Sequence, residues 1–291
     1  MKLDLLDFKE LESFPSGSGI EFFKNRFYLV GDDATDILVT NKRWKKQNEI
    51  RLLGEEEKKA MQKPKADLEA VTILDLEKEN HLLVMYSGTE EPHKKGILVN
   101  VKDNSIKEFD YSVFYERLKT SGISDLNIEG AVQVHEFLVF CNRVNNTNPF
   151  NQLIITEPDF FLHQGDAKID LLDVDLSAYH GNIAVSGLAY SYENDQLIFT
   201  TSAEYPTTGT DDKGITTKSY LGIIENGYRK IWRKKVKVNE LLDLPATHKE
   251  FRERKVESVC IQSEKLRSIK LHMIADNNNG ESFLYKVRLR F

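Results

Sequence analysis

The sequence repeats one unit five times, and this repetition restricts the chain to a few architectures. A Ser or Glu opens a short apolar strand, a tight turn follows, and a second hydrophobic strand ends in polar groups. The unit is clearest over 127–145, where Glu129 opens the first strand and Asn142 and Arg143 end the second. The opening residues of the five units are Ser18, Glu69, Glu129, Ser186 and Glu257. A fixed unit with variable loops is typical of radial and solenoid folds.

Each unit continues with further strand-like segments, as a propeller blade does. Third strands are predicted at 37–41, 96–101, 153–157, 220–225 and 283–287, and fourth strands at 49–53, 105–111, 169–176 and 228–236. The last unit lacks a fourth strand, which the alternating segment 2–8 can supply, closing the ring and removing an open sheet edge. The sequence therefore predicts an all-β, five-bladed β-propeller in a single domain. Its blades would lie at about 18–53, 67–113, 127–176, 185–236, and 256–291 plus 1–10.

Helices and one long loop are expected between the strands. The segments 54–65, 111–120 and 239–250 have the composition or spacing of surface or linking helices, and the first of them ends around Pro64. The longest polar stretch is 200–219, which we predict to be a loop. Long loops inside a compact fold are usually functional or mobile.

Charge and composition argue against several classes of function. The net charge of −6 and the pI near 5.7 do not suit a sequence-independent nucleic-acid binder. No apolar run reaches the length of a membrane span, so we expect no membrane partner. The segment 1–4 lacks the apolar core of a signal peptide. We therefore expect a cytoplasmic protein, or a periplasmic or secreted one if a signal has been removed. Cys141 and Cys260 match no metal motif and are expected to be buried free thiols.

Familiar catalytic and binding motifs are missing from the sequence. It contains no Gly-x-Ser-x-Gly elbow, no His-Glu-x-x-His pattern, no Walker loop and no dinucleotide fingerprint. The segment from Asp173 begins like a calcium loop, but Ala178 replaces the glycine of such a loop and Ala184 replaces its final glutamate.

The five opening residues offer the remaining chemistry. The first strand of each propeller blade lines the central axis, so these positions converge. Two of the three carboxylates about 6 Å apart would repel by roughly 3 kcal/mol at an effective dielectric near 20. They must take up protons, basic partners or a cation. We expect no Lys or Arg at the neighbouring positions of the motif, and the oxygen-only set suits calcium. We predict one axial calcium ion; the alternative is that these side chains are polar plugs bonded to water or strand amides.

The same order of opening residues resembles that of the calcium-activated nucleotidases (apyrases), which are five-bladed propellers with an axial calcium. Segments 30–36, 140–143 and 198–204 are similar to three further motifs of that family, although Ala34 and Thr200 replace basic residues and a second arginine is missing after Arg143. The resemblance implies calcium ligands at the five opening residues and a substrate facing Asp32, Asp33, Arg143 and Glu204. Glu-Gly-Ala openings are also similar to those of bacterial propellers related to the esterase-like phytases.

Two hypotheses follow. The first is a monomeric binding propeller with a central calcium ion, whose upper face takes a small molecule or a protein. The alternative is a calcium-dependent phosphohydrolase of nucleotide-like or other phosphate-bearing substrates, with Asp33 or Glu204 as base and Arg143 as phosphate ligand. Further contacts with substrate would come from Asp32, Asn142, Lys94 and Lys218. Convergence of Arg143, Lys94 or Lys95, and Lys218 in one cleft would favour the phosphohydrolase.

Overall fold

Five β-sheets form the blades of a propeller, and strands make up 60% of the described residues against 9% for helices. The computed structural model describes residues 1–52, 67–89, 94–123, 125–144, 150–179, 183–206, 215–277 and 279–291. Its strands are β1 (Lys2–Leu11), β2 (Gly17–Phe23), β3 (Arg26–Gly31), β4 (Asp36–Asn41), β5 (Lys46–Arg51), β6 (Leu68–Leu76), β7 (Glu79–Tyr86), β8 (Lys95–Asn100), β9 (Ile106–Asp110), β10 (Ile128–Val134), β11 (Phe137–Asn142), β12 (Asn151–Thr156), β13 (Asp170–Asp175), β14 (Ile183–Ser191), β15 (Gln196–Pro206), β16 (Ile215–Glu225), β17 (Lys235–Lys237), β18 (Glu240–Asp243), β19 (Lys255–Lys265), β20 (Ser268–Asp276) and β21 (Ser282–Arg290).

The blades follow one another along the chain, and each has its first strand at the centre. Blade one is β2-β3-β4-β5, blade two is β6-β7-β8-β9, and blade three begins β10-β11-β12-β13. Blade four is β14-β15-β16-β18, and blade five is β19-β20-β21-β1. The innermost strands contact one another in the order β2, β6, β10, β14, β19 and back to β2. The predicted five-bladed propeller is confirmed.

The N-terminal strand closes the ring, as predicted. β1 runs antiparallel to β21, with partners from Lys2–Arg290 to Leu11–Ser282. Its Leu3 is buried in the core between blades four and five. Blade five is therefore built from both ends of the described chain, which removes the open edge of β21.

Hydrophobic clusters fill the five interfaces between neighbouring blades. The second strands are covered on both faces and are accordingly almost continuously apolar, as β11 shows. Helix α1 (Ser112–Thr120), close to the predicted 111–120, buries Phe114 and Leu118 between blades two and three. Cys141 and Cys260 are buried and free, as expected. Because the blades share their cores, the packing between them fixes where the inner strands meet.

The outer part of blade four differs from the prediction. Segment 228–236 was expected to be its fourth strand, but it contains part of α2 (Gly227–Lys230) and of β17. β17 pairs in parallel with β13, so it becomes a fifth strand of blade three. The fourth strand of blade four is β18, within the segment predicted as a linking helix. That segment also contains α3 (Leu244–Thr247), where Asp243 caps the helix by accepting a hydrogen bond from the Ala246 N–H at 3.0 Å.

The polar stretch 200–219 is largely a hairpin instead of a loop. β15 and β16 are paired from Gln196–Glu225 out to Pro206–Ile215, because Thr and Tyr in this stretch suit a strand despite their polarity. The predicted surface helix 54–65 lies outside the described residues. Within the part of the chain that the structure covers, no helix combines the length and the hydropathy needed to cross a membrane.

Candidate functional site

Each of the five opening residues is the extra residue of a β-bulge. The pairing of the first and second strands skips one residue in every blade: between Gly17 and Gly19, Leu68 and Ala70, Ile128 and Gly130, Val185 and Gly187, and Val256 and Ser258. The skipped residues are Ser18, Glu69, Glu129, Ser186 and Glu257, which we call the bulge ring. A bulge redirects a side chain out of the regular alternation of a strand. The repeat in the sequence therefore marks a repeated backbone device.

Close contact between neighbouring inner strands locks the bulge ring. The Ser18 hydroxyl donates to the Leu68 carbonyl, and the Ser186 hydroxyl donates to the Val256 carbonyl at 2.8 Å. In both cases the acceptor immediately precedes a glutamate of the ring in the next blade. A Cβ atom on Gly187 would lie 2.7 Å from the Ser258 Cα, so only glycine fits this contact. The two serines thus position the neighbouring strand, and each donates its hydroxyl proton to a backbone carbonyl of that strand.

Three carboxylates gather between blades one and two. One oxygen each of Asp32, Asp67 and Glu69 lies within 4.8 Å of the other two. Asp32 follows β3 and Asp67 precedes β6; the Asp67 N–H donates to the Asp32 carbonyl at 2.8 Å. Asp67 has a left-handed backbone with φ of 58°, and its carboxylate accepts a hydrogen bond from the Ser87 hydroxyl. The backbone therefore holds two aspartates beside the glutamate of blade two; we call these three residues the acidic trio.

Basic residues neutralise the other two glutamates of the bulge ring. Arg143 Nη1 lies 3.3 Å from Glu129 Oε1, which also accepts a hydrogen bond from Asn127 at 2.8 Å. Lys255 Nζ lies 2.5 Å from Glu257 Oε1. Glu129 raises the pKa of Arg143, and the charges of Glu257 and Glu69 add to this effect. The ring is thus divided into an ion-paired side and an acidic side.

Negative charge is concentrated on the acidic side. Burial raises the pKa of Glu69 well above its usual range, and Glu129, Glu257 and Asp32 reinforce this effect. Burial also raises the pKa of Glu257 to about 7, although Lys255 opposes it. Glu257 is 5% exposed, and its Oε2 has no hydrogen-bond partner among the described residues. Carboxylates that repel one another in a buried place favour protonation or a bound cation.

The donor set fits a hard cation. Asp32, Asp67 and Glu69 offer only oxygen, and the free Oε2 of Glu257 belongs to the same electrostatic cluster. Calcium takes six to eight oxygen ligands in flexible geometry, whereas zinc and copper prefer nitrogen or sulfur. Two residues of the predicted five-residue ligand set, Glu129 and Glu257, form ion pairs with basic residues in the structure. Glu69, a third, instead lies beside Asp32 and Asp67. Asp32 was assigned to substrate from the sequence, and it stands here beside the candidate cation ligands.

The other residues predicted to face a substrate do not form one basic cleft. The Asp33 carboxylate accepts a hydrogen bond from the Ser16 hydroxyl at 2.6 Å, and buried Asn142 accepts one from the Asn127 N–H. Lys94 lies 3.9 Å from Glu116 of α1, and Lys218 lies 3.9 Å from Asp243. Lys95 likewise reaches Glu108 of its own blade. Glu204 is in β15, and its side chain lies outside the described residues.

Sequence reasoning missed Asp67 and Lys255. Both stand two positions before a glutamate of the bulge ring, and Ser16 and Asn127 occupy the same position in blades one and three. Each of these four side chains makes a polar contact at this face of the ring. A comparison of the repeats extended by two residues would have found a second ring of polar side chains.

Solved structures confirm the fold. Glutaminyl cyclase from Myxococcus xanthus is similar over 99% of this chain and 96% of its own, with 12% identity and a TM-score of 0.55. The tail fibre of Staphylococcus aureus phage P68 aligns over 100% of this chain but 53% of its own, with 10% identity and a TM-score of 0.57. A GH43 β-1,3-galactosidase aligns over 94% and 90%, with 10% identity and a TM-score of 0.51. At such identities the likeness extends to the fold alone.

Comparison of sequences gives the family. No curated protein matches the chain. None of the three structures above is an apyrase or a phytase-like protein, so the matches support the propeller part of that resemblance and nothing finer. The model of one family covers residues 13–289, nearly the whole length, and this chain therefore belongs to that family, which is described as a family of unknown function, DUF6929.

Proposed function

We propose that this chain is a binding propeller whose bulge ring holds one calcium ion on its acidic side. Asp32, Asp67 and Glu69 would supply the ligands, with the free oxygen of Glu257 facing the same cluster. The observation that carries the proposal is the approach of three carboxylates to within 4.8 Å of one another, with Asp67 buried and the other two half-buried. Burial and then repulsion by neighbouring carboxylates raise the pKa of Glu69, and a divalent cation would offset both effects. When bound, the ion would tie blades one and two together at the face where a small molecule or protein partner docks.

The phosphohydrolase alternative has less support. Phosphoryl transfer needs cations placed against developing negative charge. At the bulge ring the described cations are Arg143 and Lys255, and each is bonded to a glutamate. Lys94 and Lys218 contact acids on the outer parts of two different blades. The face is dominated by carboxylates, which would repel a polyphosphate, so we favour binding over hydrolysis.

Calcium titration followed by thermal unfolding tests this proposal. A ligand that binds only the folded state, present at 100 times its dissociation constant, adds about 2.7 kcal/mol to stability. We expect calcium to raise the Tm clearly and magnesium to raise it less, because magnesium demands tighter octahedral geometry. Glu69→Gln and Asp67→Asn should abolish most of the calcium response.

Glu77→Gln is the matched control, since Glu77 is an exposed glutamate of the same blade. It should respond to calcium as the wild-type protein does. Calorimetry should give one calcium ion per chain. A wild-type Tm that calcium leaves unchanged would refute the proposal. Calcium-dependent turnover of nucleoside di- or triphosphates, lost in Arg143→Ala, would establish the phosphohydrolase instead.

A further inference from the structure

A cavity lies at the end of the central axis opposite the bulge ring. Its volume is about 490 Å³, within the range of roughly 300–1,000 Å³ typical of small-molecule sites. All five innermost strands, or the turns that follow them, contribute to its wall, at positions further along the chain than the bulge ring. The cavity is therefore separate from the candidate calcium site, and nothing said about it depends on calcium.

Carboxylates give this cavity its charge. Glu21, Asp75 and Glu264 line it, and no Lys or Arg stands among its described lining residues. Glu21 Oε1 accepts a hydrogen bond from the Phe22 N–H at 2.7 Å, and Oε2 accepts one from the Ile73 N–H at 3.3 Å. Glu264 is held in the same way by the Ser191 hydroxyl and the Tyr192 N–H. A carboxylate can accept about four hydrogen bonds, so Glu21 and Glu264 are fixed in place with acceptor capacity left.

Aromatic rings form one side of the same cavity. Tyr190 and Tyr192 stand edge to face with ring centroids 4.8 Å apart, and His135 lies 5.2 Å from Tyr192 in the same manner. The Tyr192 hydroxyl donates to the Gln133 carbonyl at 3.1 Å, which fixes the ring across the junction of blades three and four. Burial, with Glu21 and Glu264, raises the pKa of Tyr192, so both carboxylates act on the tyrosine side of the cavity.

We propose that this cavity binds a small organic ammonium ion. Fixed carboxylates would neutralise the positive charge. The exposed ring of Tyr192, supported edge to face by buried Tyr190, would contact the alkyl groups around the nitrogen by cation–π attraction. Apolar side chains such as Leu188 and Val259 complete the wall and suit a carbon skeleton better than a hydrated metal ion. Burial raises the pKa of Glu21 to about 7, and an ammonium group beside it would favour the ionised carboxylate.

Three probes separate charge from shape. Choline represents a quaternary ammonium ion and 1,5-diaminopentane a primary one, while 3,3-dimethylbutan-1-ol has the shape of choline without its charge. Isothermal titration in the presence of EDTA keeps divalent cations out of both sites. We expect one molecule of at least one ammonium probe to bind per chain, and the neutral alcohol to bind at least about tenfold more weakly.

Variants locate the site. Glu21→Gln should weaken ammonium binding about tenfold or more, because it removes a charge-assisted contact while keeping the side-chain volume. It should fold, since it replaces a carboxylate that burial already disfavours. Tyr192→Leu should weaken binding by about three- to tenfold through loss of the cation–π contact. Glu193→Gln is the control, because Glu193 is exposed, adjoins Tyr192 and does not line the cavity.

The binding results that support the proposal differ from those that contradict it. Charge-dependent binding that Glu21→Gln weakens and Glu193→Gln does not would support the proposal. Equal binding of choline and the neutral alcohol, binding of a neutral sugar such as glucose in preference to both amines, or no binding at millimolar concentration would overturn it. Because calcium is absent throughout, failure here leaves the proposed function untouched, and failure of the calcium titration leaves this site untouched.

Discussion

A single histidine is held neutral where blade five meets blade one. His272 of β20 is fully buried; its Nδ1 accepts a hydrogen bond from Trp44 Nε1 at 3.0 Å, and its Nε2 lies 3.1 Å from Gln262 Oε1. Burial lowers the pKa of His272 from 6.5 to about 3, and Lys286 and Lys270 add to the effect. The unfolded chain therefore binds a proton between pH 6.5 and 3 that the folded protein does not bind.

The stabilising contribution of His272 is consequently complete above pH 6.5 and is lost as the pH falls below it. We predict that the free energy of unfolding of the wild type falls more steeply from pH 6 to pH 4 than that of His272→Gln, by up to about 1.4 kcal/mol per pH unit. Urea denaturation at several pH values measures this, with His81→Gln as control. Parallel pH profiles for wild type and His272→Gln would contradict the prediction. The wild-type slope alone is not decisive, because buried Glu21 has a raised pKa and acts in the opposite direction.

At the residue scale, the sequence located part of the site and not all of it. The repeat placed Ser18, Glu69, Glu129, Ser186 and Glu257 at one register because each opens an inner strand. It could not show that Arg143 turns back onto Glu129, since Arg143 is 14 residues away along the chain and the contact depends on how β11 ends. Asp67 approaches Asp32 across a blade boundary, which no local pattern encodes.

Among the elements, the bulged inner strands depend on glycine where neighbouring backbones touch. A Cβ atom on Gly187 would lie 2.7 Å from the Ser258 Cα and 2.8 Å from the Glu257 carbonyl oxygen. We predict that Gly187→Ala lowers the free energy of unfolding by about 1–3 kcal/mol, because backbone atoms must move apart. Gly165→Ala should change it by less than about 0.5 kcal/mol, since nothing lies within 4 Å of the added Cβ. Equal Tm values for the two variants would show that the contact relaxes without cost.

Strand prediction succeeded for the inner and second strands and failed at the outer edge of blade four. Inner and second strands carry a continuous apolar pattern that only β-structure explains at this length. Segment 228–236 also has apolar residues, such as Ile231 and Val236, and so was expected to continue blade four. Gly227 instead donates its N–H to the Asp195 carbonyl at 2.9 Å and starts α2, while Val236 pairs with Val174 of blade three. Parallel pairing with a strand about 60 residues earlier leaves no local signal.

For the whole molecule, the joint between the first and last strands determines whether the ring stays closed. Leu3 of β1 is 5% exposed and packs with the blade five core, whereas Leu6 of the same strand is the extra residue of a bulge and 41% exposed. We predict that Leu3→Ala costs about 2–5 kcal/mol of unfolding free energy, and that Leu6→Ala costs much less. Thermal and urea unfolding measure both. If the two substitutions lower the Tm by the same amount, β1 does not stabilise the ring through its buried face.

The attachment of β17 to blade three has a consequence for local opening. After β16 the chain leaves blade four and runs along the outer edge of blade three. There the Asp173 N–H donates to the Lys234 carbonyl at 2.9 Å, and Lys235 Nζ forms an ion pair with Asp175. The outer edge amides of blade three are therefore covered by a segment anchored in blade four. In amide hydrogen exchange, the Asp173 N–H, which faces β17, should become labelled only when that anchoring segment detaches, so its protection reports on the integrity of two blades at once.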